Sequence, residues 1–303
     1  MPGVDADSKR NRAGVSDAEI DRLCDAVLMA LAGGSLGTEE LRDATGGAVR
    51  NLGAEGKKKG LTTTLPVALG RLQAAGEIRR IPINGRFDQQ RYRYTPWNPN
   101  PLRASKAGLE ESLVRLAARF FRWTGPAALA EFQWFSGMGA RVVKAAIEPL
   151  KLVPLEDGDS RLMFSDDRDA YDSYTVPRAP RYALVGSLDG ISHLRRDLKS
   201  LLAEADRARE IPGGRGMCAV GGLTDLPGHA IFDRGRLMGL WEYDTETATI
   251  VWMSFVPADA ALKDAVQRTE EFVRNNLGDA RSFSLDSPKS RALRVAALRS
   301  LKS

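Results

Sequence analysis

The dipeptide Asn84-Gly85 decides what the first third of this chain can be. A type I′ turn needs positive φ at both central residues, and Asn-Gly supplies it at least cost. The flanking runs, Ile78-Arg79-Arg80-Ile81-Pro82 and Arg86 to Tyr94, are therefore expected as the arms of a β-hairpin. Three helices are expected ahead of it. Ser16-Asp17-Ala18-Glu19 has the pattern of a capping box, and Ile20, Leu23, Val27 and Leu31 recur at helical spacing up to Gly33-Gly34. Thr38 is expected to cap a short second helix through Leu41 to Thr45. The polar run from Gly46 to Gly60 reads as a mobile connection. Thr62, Thr63 and Thr64 then offer hydroxyl caps to a third helix carrying Leu65, Leu69 and Leu72 on one face, with Pro66 in its first turn and Gly76 at its close. Three helices followed by a basic hairpin is the order of a winged helix, in which the third helix can enter a major groove while the wing follows the backbone.

The same order recurs further on. Leu109, Leu113, Leu116 and Phe120 mark a first helix over 107–122. A second is expected from Thr124-Gly125-Pro126 to Phe135, stopped by Gly137, and a third from Arg141 to Leu150. Leu152-Val153, Asp157-Gly158 and Leu162 to Phe164 make a second hairpin, acidic where the first is arginine-rich. The stretch 166–180 reads as an exposed connection. Beyond it lie a buried strand over 182–185, an amphipathic helix over 191–202, antiparallel strands over 230–232, 237–243 and 248–255, and helices over 259–277 and 288–301. The expected fold is α+β, with a flexible tail over 1–15, winged helices over 16–96 and 97–165, and a C-terminal α+β lobe over 166–303. Thr95 to Pro101, with three prolines, serves as the linker.

Composition removes several classes of function. No stretch approaches the roughly 18 apolar residues of a bilayer-crossing helix, and Met1 to Gly14 lacks the apolar centre of a signal peptide, so the expected location is cytoplasmic, with no membrane contact. Cys24 and Cys218 stand alone, each most simply a small buried residue, and only His193 and His229 supply imidazole. No metal site and no cofactor are expected. Lys and Arg outnumber Asp and Glu by 44 to 39, an excess of +5 that permits a polyanionic partner without requiring one.

The strongest functional signal is the basic wing. Arg79, Arg80, Arg86, Arg91 and Arg93 fall within fifteen residues on the expected hairpin, and guanidinium forks there suit phosphate oxygens, although a solvated hairpin can be arginine-rich for solubility alone. Thr62, Thr63 and Thr64 are candidates to present hydroxyls and helix-terminal amides to phosphate, and Arg71 is a candidate groove contact. Lys57, Lys58 and Lys59 offer electrostatic contacts on what reads as a solvated loop. The partner these residues imply is double-stranded DNA.

Other motifs carry less. Phe120, Phe121, Trp123, Phe132, Trp134 and Phe135 can stack on an unpaired base but read better as core. Gly213 to Gly216 and Gly221-Gly222 lack the context of a phosphate-binding loop. Asp189, at an expected strand-to-helix loop with His193 one turn on, and Glu242, beside Trp241 on an expected strand, are weak candidates for acid or base work; Asp189 can equally cap the helix that follows. Lys289, Arg291, Arg294, Arg299 and Lys302 are expected to form a basic surface on the last helix.

The stretch Trp123-Thr124-Gly125-Pro126-Ala127-Ala128-Leu129-Ala130-Glu131-Phe132-Gln133-Trp134-Phe135-Ser136-Gly137 resembles the middle segment of the winged-helix AlkZ/YcaQ-like family of crosslink-repair DNA glycosylases. Leu184 to Asp189 through Arg195-Arg196-Asp197 is similar to its strand-Asp-helix element, and Ile231 to Tyr243 to its C-terminal hairpin. The resemblance spans about residues 20 to 280. It implies tandem winged helices forming a concave DNA-binding surface, and release of alkylated or crosslinked bases by hydrolysis of the N-glycosidic bond. Known members carry a catalytic Gln-x-Gln or Gln-x-Asp motif in a segment ahead of the unit that starts here near Ser16, and that segment is expected to be missing. Gln73, Gln89, Gln90, Gln133 and Gln267 have neither Gln nor Asp two positions later, so no catalytic residue is carried over. The expectation is a DNA-binding repair protein that retains damaged duplex or excises alkylated bases. The alternatives are a DNA-binding transcriptional regulator without enzymatic activity and a protein-interaction module.

Overall fold

The computed structural model describes residues 14–83, 92–195, 197–213, 216–282 and 286–301. The fold is α+β, and the chain divides into two compact units, 1–107 and 108–303. No described helix is long and apolar enough to cross a membrane.

The first unit packs α1 (Asp17–Leu31), α2 (Thr38–Thr45), α3 (Gly53–Lys58) and α4 (Leu65–Ala74) against a ribbon of β1 (Ile78–Pro82) and β2 (Tyr92–Pro96). The apolar stripe of α1 is buried as its spacing predicts, and Leu65, Leu69 and Leu72 of α4 meet it. Several local details differ. Val15, at the end of the expected tail, is buried in this core. Ser16 caps Glu19 N, but the Glu19 carboxylate turns to Arg50 at 2.8 Å instead of closing the box. Gly37, and not Thr38, is the cap of α2, because the Glu40 carboxylate reaches back to its amide. The run 46–60 is not a loose connection: it holds a short 3-10 turn and α3, anchored by buried Gly56, where an added Cβ would lie 2.4 Å from the Leu61 carbonyl oxygen.

In the second unit, α5 (Leu109–Thr124), α6 (Leu129–Ser136) and α7 (Ala140–Ile147) enclose Phe120, Phe121 and Phe132. A small sheet of β3 (Ala127–Ala128), β5 (Arg161–Met163) and β4 (Val153–Pro154) closes this core. The second helix starts later than expected, since residues 127–128 pair with β5 and Glu131 caps Ala128 N at 2.7 Å. Gly137 ends α6 at φ +66°, the left-handed stop. After a short helix α8 (Arg168–Ser173), a four-stranded antiparallel sheet runs in the order β11-β10-β9-β6, built from Thr249–Ser254, Arg236–Asp244, His229–Asp233 and Tyr182–Val185. The β6 strand lies at the edge and is half exposed, which corrects its reading as buried. One face of the sheet meets α10 (Ala260–Phe272) through Leu262 and Val266; the other meets α11 (Pro288–Ser300) through Val295 and Leu298. The helix expected over 191–202 splits into α9 (Gly190–His193) and a 3-10 turn over 198–201, because Asp197 caps the second piece through Ser200 N. The β7 (Glu210–Gly213) and β8 (Gly216–Ala219) strands pair as a separate ribbon.

Candidate nucleic-acid interface

The ribbon of the first unit alternates its cations between two faces. The register sets Arg79 opposite Thr95 and Ile81 opposite Arg93 on one side, and Arg80 opposite Tyr94 on the other. Arg80 lies over the Tyr92 ring at 4.2 Å, on the side where Tyr94 is buried. Arg93 shares a face with Arg79 but donates to the Ser35 carbonyl at 2.9 Å and to Glu40 at 2.6 Å. Arg79 is exposed and has no ion pair among the described residues. Arg86 and Arg91 lie outside the described residues, as does the Asn84-Gly85 turn.

The third helix is less available than a groove reader should be. Half of the residues of α4 are buried, and Arg71 bridges Asp21 at 2.6 Å and Asp17 at 2.7 Å on α1. Thr64 stands at the N-cap of α4, but none of the threonine hydroxyls caps it. The Thr64 hydroxyl is fully buried and accepts from Arg50 N at 3.0 Å, Thr63 pairs with Asn51 in a short bridge, and Thr62 is exposed. Segments 50–52 and 62–64 thus zip together around α3. Lys57 and Lys58 are exposed on the last turn of α3; Lys58 pairs with Glu55 at 2.8 Å. Exposed pairs of this kind contribute about 0 to 1 kcal/mol and exchange readily for phosphate. Residues 1–107 hold 17 Lys and Arg against 12 Asp and Glu, whereas 108–303 hold 27 of each, so the entire excess of +5 belongs to the first unit.

In the second unit, the acids singled out by sequence are structural. Asp189 is exposed and caps α9, accepting from Ile191 N at 2.9 Å, and His193 faces Asp225 at 3.6 Å instead of Asp189. Glu242 is 1% exposed and is held by Arg294 at 2.6 Å and by the Ser282 hydroxyl at 3.2 Å. The basic surface expected on the last helix is largely turned inward. Arg291 is buried, donating to the Tyr243 carbonyl at 2.7 Å and to Asp279 at 2.6 Å; Arg294 also meets Asp286 at 2.8 Å, and Arg299 pairs with Asp244. Lys289 stays exposed, and Lys302 lies outside the described residues. The physical reason is position: Arg291, Val295 and Leu298 share the face of α11 that meets the sheet, and carboxylates await there from β10 (Glu242, Asp244) and from the chain ahead of α11 (Asp279, Asp286). His229, stacked on Trp241 at 4.3 Å between ring centres, accepts from Ser187 N at Nδ1 and donates from Nε2 to the Ala280 carbonyl. Burial pushes its pKa down, against the opposing pull of Glu242.

Residues 2–272 match the family described as DNA glycosylase AlkZ-like. The chain belongs to that family. Its fold is similar to that of Streptomyces sahachiroi DNA glycosylase AlkZ, with a TM-score of 0.58 at 16% sequence identity, over 90% of this chain and 70% of that one. No curated protein matches its sequence.

In this AlkZ-like chain, the segment 123–137 that carries the resemblance is partly core and partly surface. Ala127 and Phe132 are buried, but Trp123 is 74% exposed, and Trp134 and Phe135 are each over a third exposed. Trp123 and Phe135 border an open pocket of about 870 Å³ together with Leu116, Arg115, Arg119 and Arg122. Reading the aromatics as core missed this feature. Its signal is in the sequence: Arg115, Arg119 and Arg122 recur at four and three residues, so they share the outer face of α5 with Trp123.

Proposed function

We propose that this chain is a DNA-repair protein that binds damaged duplex DNA through its first unit. Lys57, Lys58, Arg79, Arg86 and Arg91 are assigned to phosphates, and the exposed Thr62 hydroxyl to the same backbone. Arg71, Arg93 and Thr64 keep the unit folded, and Thr63 serves the bridge to Asn51. The observation that carries the reading is the concentration of the whole charge excess in the unit that bears the ribbon. Membership of the AlkZ-like DNA glycosylase family supports alkylated or crosslinked bases as the lesion class. The positive unit supplies attraction to any duplex, and lesion preference adds to that background.

The test is incubation with duplexes of one sequence that carry an alkylated purine, an interstrand crosslink or no damage, scoring retention and abasic-site formation together. The damaged duplexes are retained more tightly than the intact one. Abasic sites identify a glycosylase, and retention without base release identifies a damage binder. Affinity confined to one undamaged sequence refutes the repair reading in favour of a regulator.

A further inference from the structure

We propose that the open pocket on α5 receives one unpaired nucleobase, stacked on Trp123, with the adjoining phosphate held by Arg119. The proposal rests on the DNA-binding reading above and names the state of the DNA that this chain selects.

Four observations converge on that occupant. The Trp123 side chain is 74% exposed while the neighbouring Phe120 and Phe121 are buried, so the ring is presented to solvent by a helix whose inner face is already filled. The start of α9 lies beside one edge of its indole, where a Cβ added to Gly190 would be 3.6 Å from the ring, so glycine there keeps the space next to the ring open. Phe135 enters the same pocket, held by its contact with Phe120 at 5.1 Å between ring centres. The rim is cationic. Arg119 is exposed with no ion pair among the described residues, Arg115 is paired with Glu111, and Arg122 is paired with Asp166 and Asp167 while lying over Phe164 at 3.8 Å.

An aromatic floor beside a guanidinium suits a planar ring linked to an anion. A base inside a duplex has both faces covered by its neighbours, so the pocket discriminates for a base displaced from the stack. A volume of about 870 Å³ lies within the range of sites that take small molecules, so the pocket has room for a nucleotide. An apolar peptide would leave Arg119 without a counter-charge, and a fully paired duplex offers no free base face.

The full chain is titrated with a paired duplex, the same duplex carrying one bulged thymine, and single-stranded dT8, following tryptophan fluorescence and anisotropy. Base-on-indole stacking predicts quenching by the bulged duplex and dT8 and an affinity for the bulged duplex about 5- to 150-fold above the paired one. Trp123→Ala abolishes that preference and the quenching while leaving paired-duplex affinity and thermal stability unchanged. Arg119→Ala lowers the salt slope for dT8 by about 0.7 and keeps part of the quenching. A bulge preference that survives Trp123→Ala overturns the proposal, as does a chain that dimerises through Trp123 without quenching by any oligonucleotide. Trp123-dependent binding of dT8 with no affinity for paired duplex upholds the pocket and refutes the duplex-binding role of the first unit. Loss of all three interactions refutes both.

Discussion

Replacing Arg291 with alanine tests whether the buried charges of the second unit form one supporting network. Its side chain is 1% exposed, donates to the Tyr243 carbonyl and to both oxygens of Asp279, and brings Nε to 3.4 Å from the buried Asp286 carboxylate. Removal takes one cationic partner from each of two largely buried carboxylates, leaving Asp279 to Arg281 and Asp286 to Arg294, and opens a gap between α11 and the sheet. Breaking a buried ion pair from one side costs about 3–5 kcal/mol. At about 2–4 °C per kcal/mol for a unit of this size, the melting temperature falls by about 6–20 °C. Burial alone would raise the Asp279 and Asp286 pKa values, but hydrogen bonds from Arg291 and Arg281 to the first, and from Arg294 and Ser290 to the second, hold both below the usual carboxylate range. Their contribution is therefore present above about pH 3.9 and lost as pH falls through the lower folded values; in Arg291→Ala the onset of acid unfolding moves to higher pH. Thermal unfolding followed by near-ultraviolet circular dichroism measures both effects, and Arg291→Met paired with Asp279→Asn restores part of the loss by removing charge from both sides. A melting shift of under about 2 °C for Arg291→Ala, far below what a broken buried pair costs, refutes the reasoning.

Three further outcomes follow from local geometry. His229 is buried and its Nδ1 accepts a backbone amide, so the native state holds it neutral; as pH falls below about 6.5 the unfolded chain binds the extra proton, and stability drops by up to about 1.4 kcal/mol per pH unit, a slope that urea titrations at pH 5 to 7 reveal in the wild type and not in His229→Gln. A Cβ at Gly239, beside the irregularity in the β9 and β10 pairing, would lie 2.2 Å from the Met253 carbonyl oxygen, so Gly239→Ala destabilises by at least about 1–3 kcal/mol in equilibrium denaturation. Arg71→Ala removes two bridges to exposed acids, costing about 0.2–1 kcal/mol, and leaves duplex affinity unchanged in anisotropy titrations; a large loss of affinity returns Arg71 to the role of a groove contact.

Periodicity carried most of the element order, because an apolar stripe such as Ile20, Leu23, Val27 and Leu31 has one favourable way to be buried. Turn chemistry is also written at Arg234-Gly235, where both residues adopt positive φ between β9 and β10. What sequence reading missed are competitions between partners. Glu19 can cap Ser16 or pair with Arg50, and only the fold brings Arg50 near enough to win. Arg291 and Arg294 have the composition of a basic surface, yet the carboxylates that draw them inward lie 12 and 52 residues away along the chain, at Asp279 and Glu242. Arg93 likewise belongs to the basic wing by spacing and to Glu40 by geometry. The pocket beside Trp123 escaped because helical spacing says which residues share a face, while burial of that face depends on what else packs there.

The most direct test of the first unit as the duplex-binding surface is the dependence of duplex affinity on salt, for the full chain and for a variant with Lys57, Arg79, Arg86 and Arg91 replaced by alanine. The logarithm of the binding constant falls linearly with the logarithm of salt concentration, and the variant slope is shallower by about 0.9 for each phosphate contact removed. An identical slope and affinity in the variant would contradict the assignment of the phosphates to that unit.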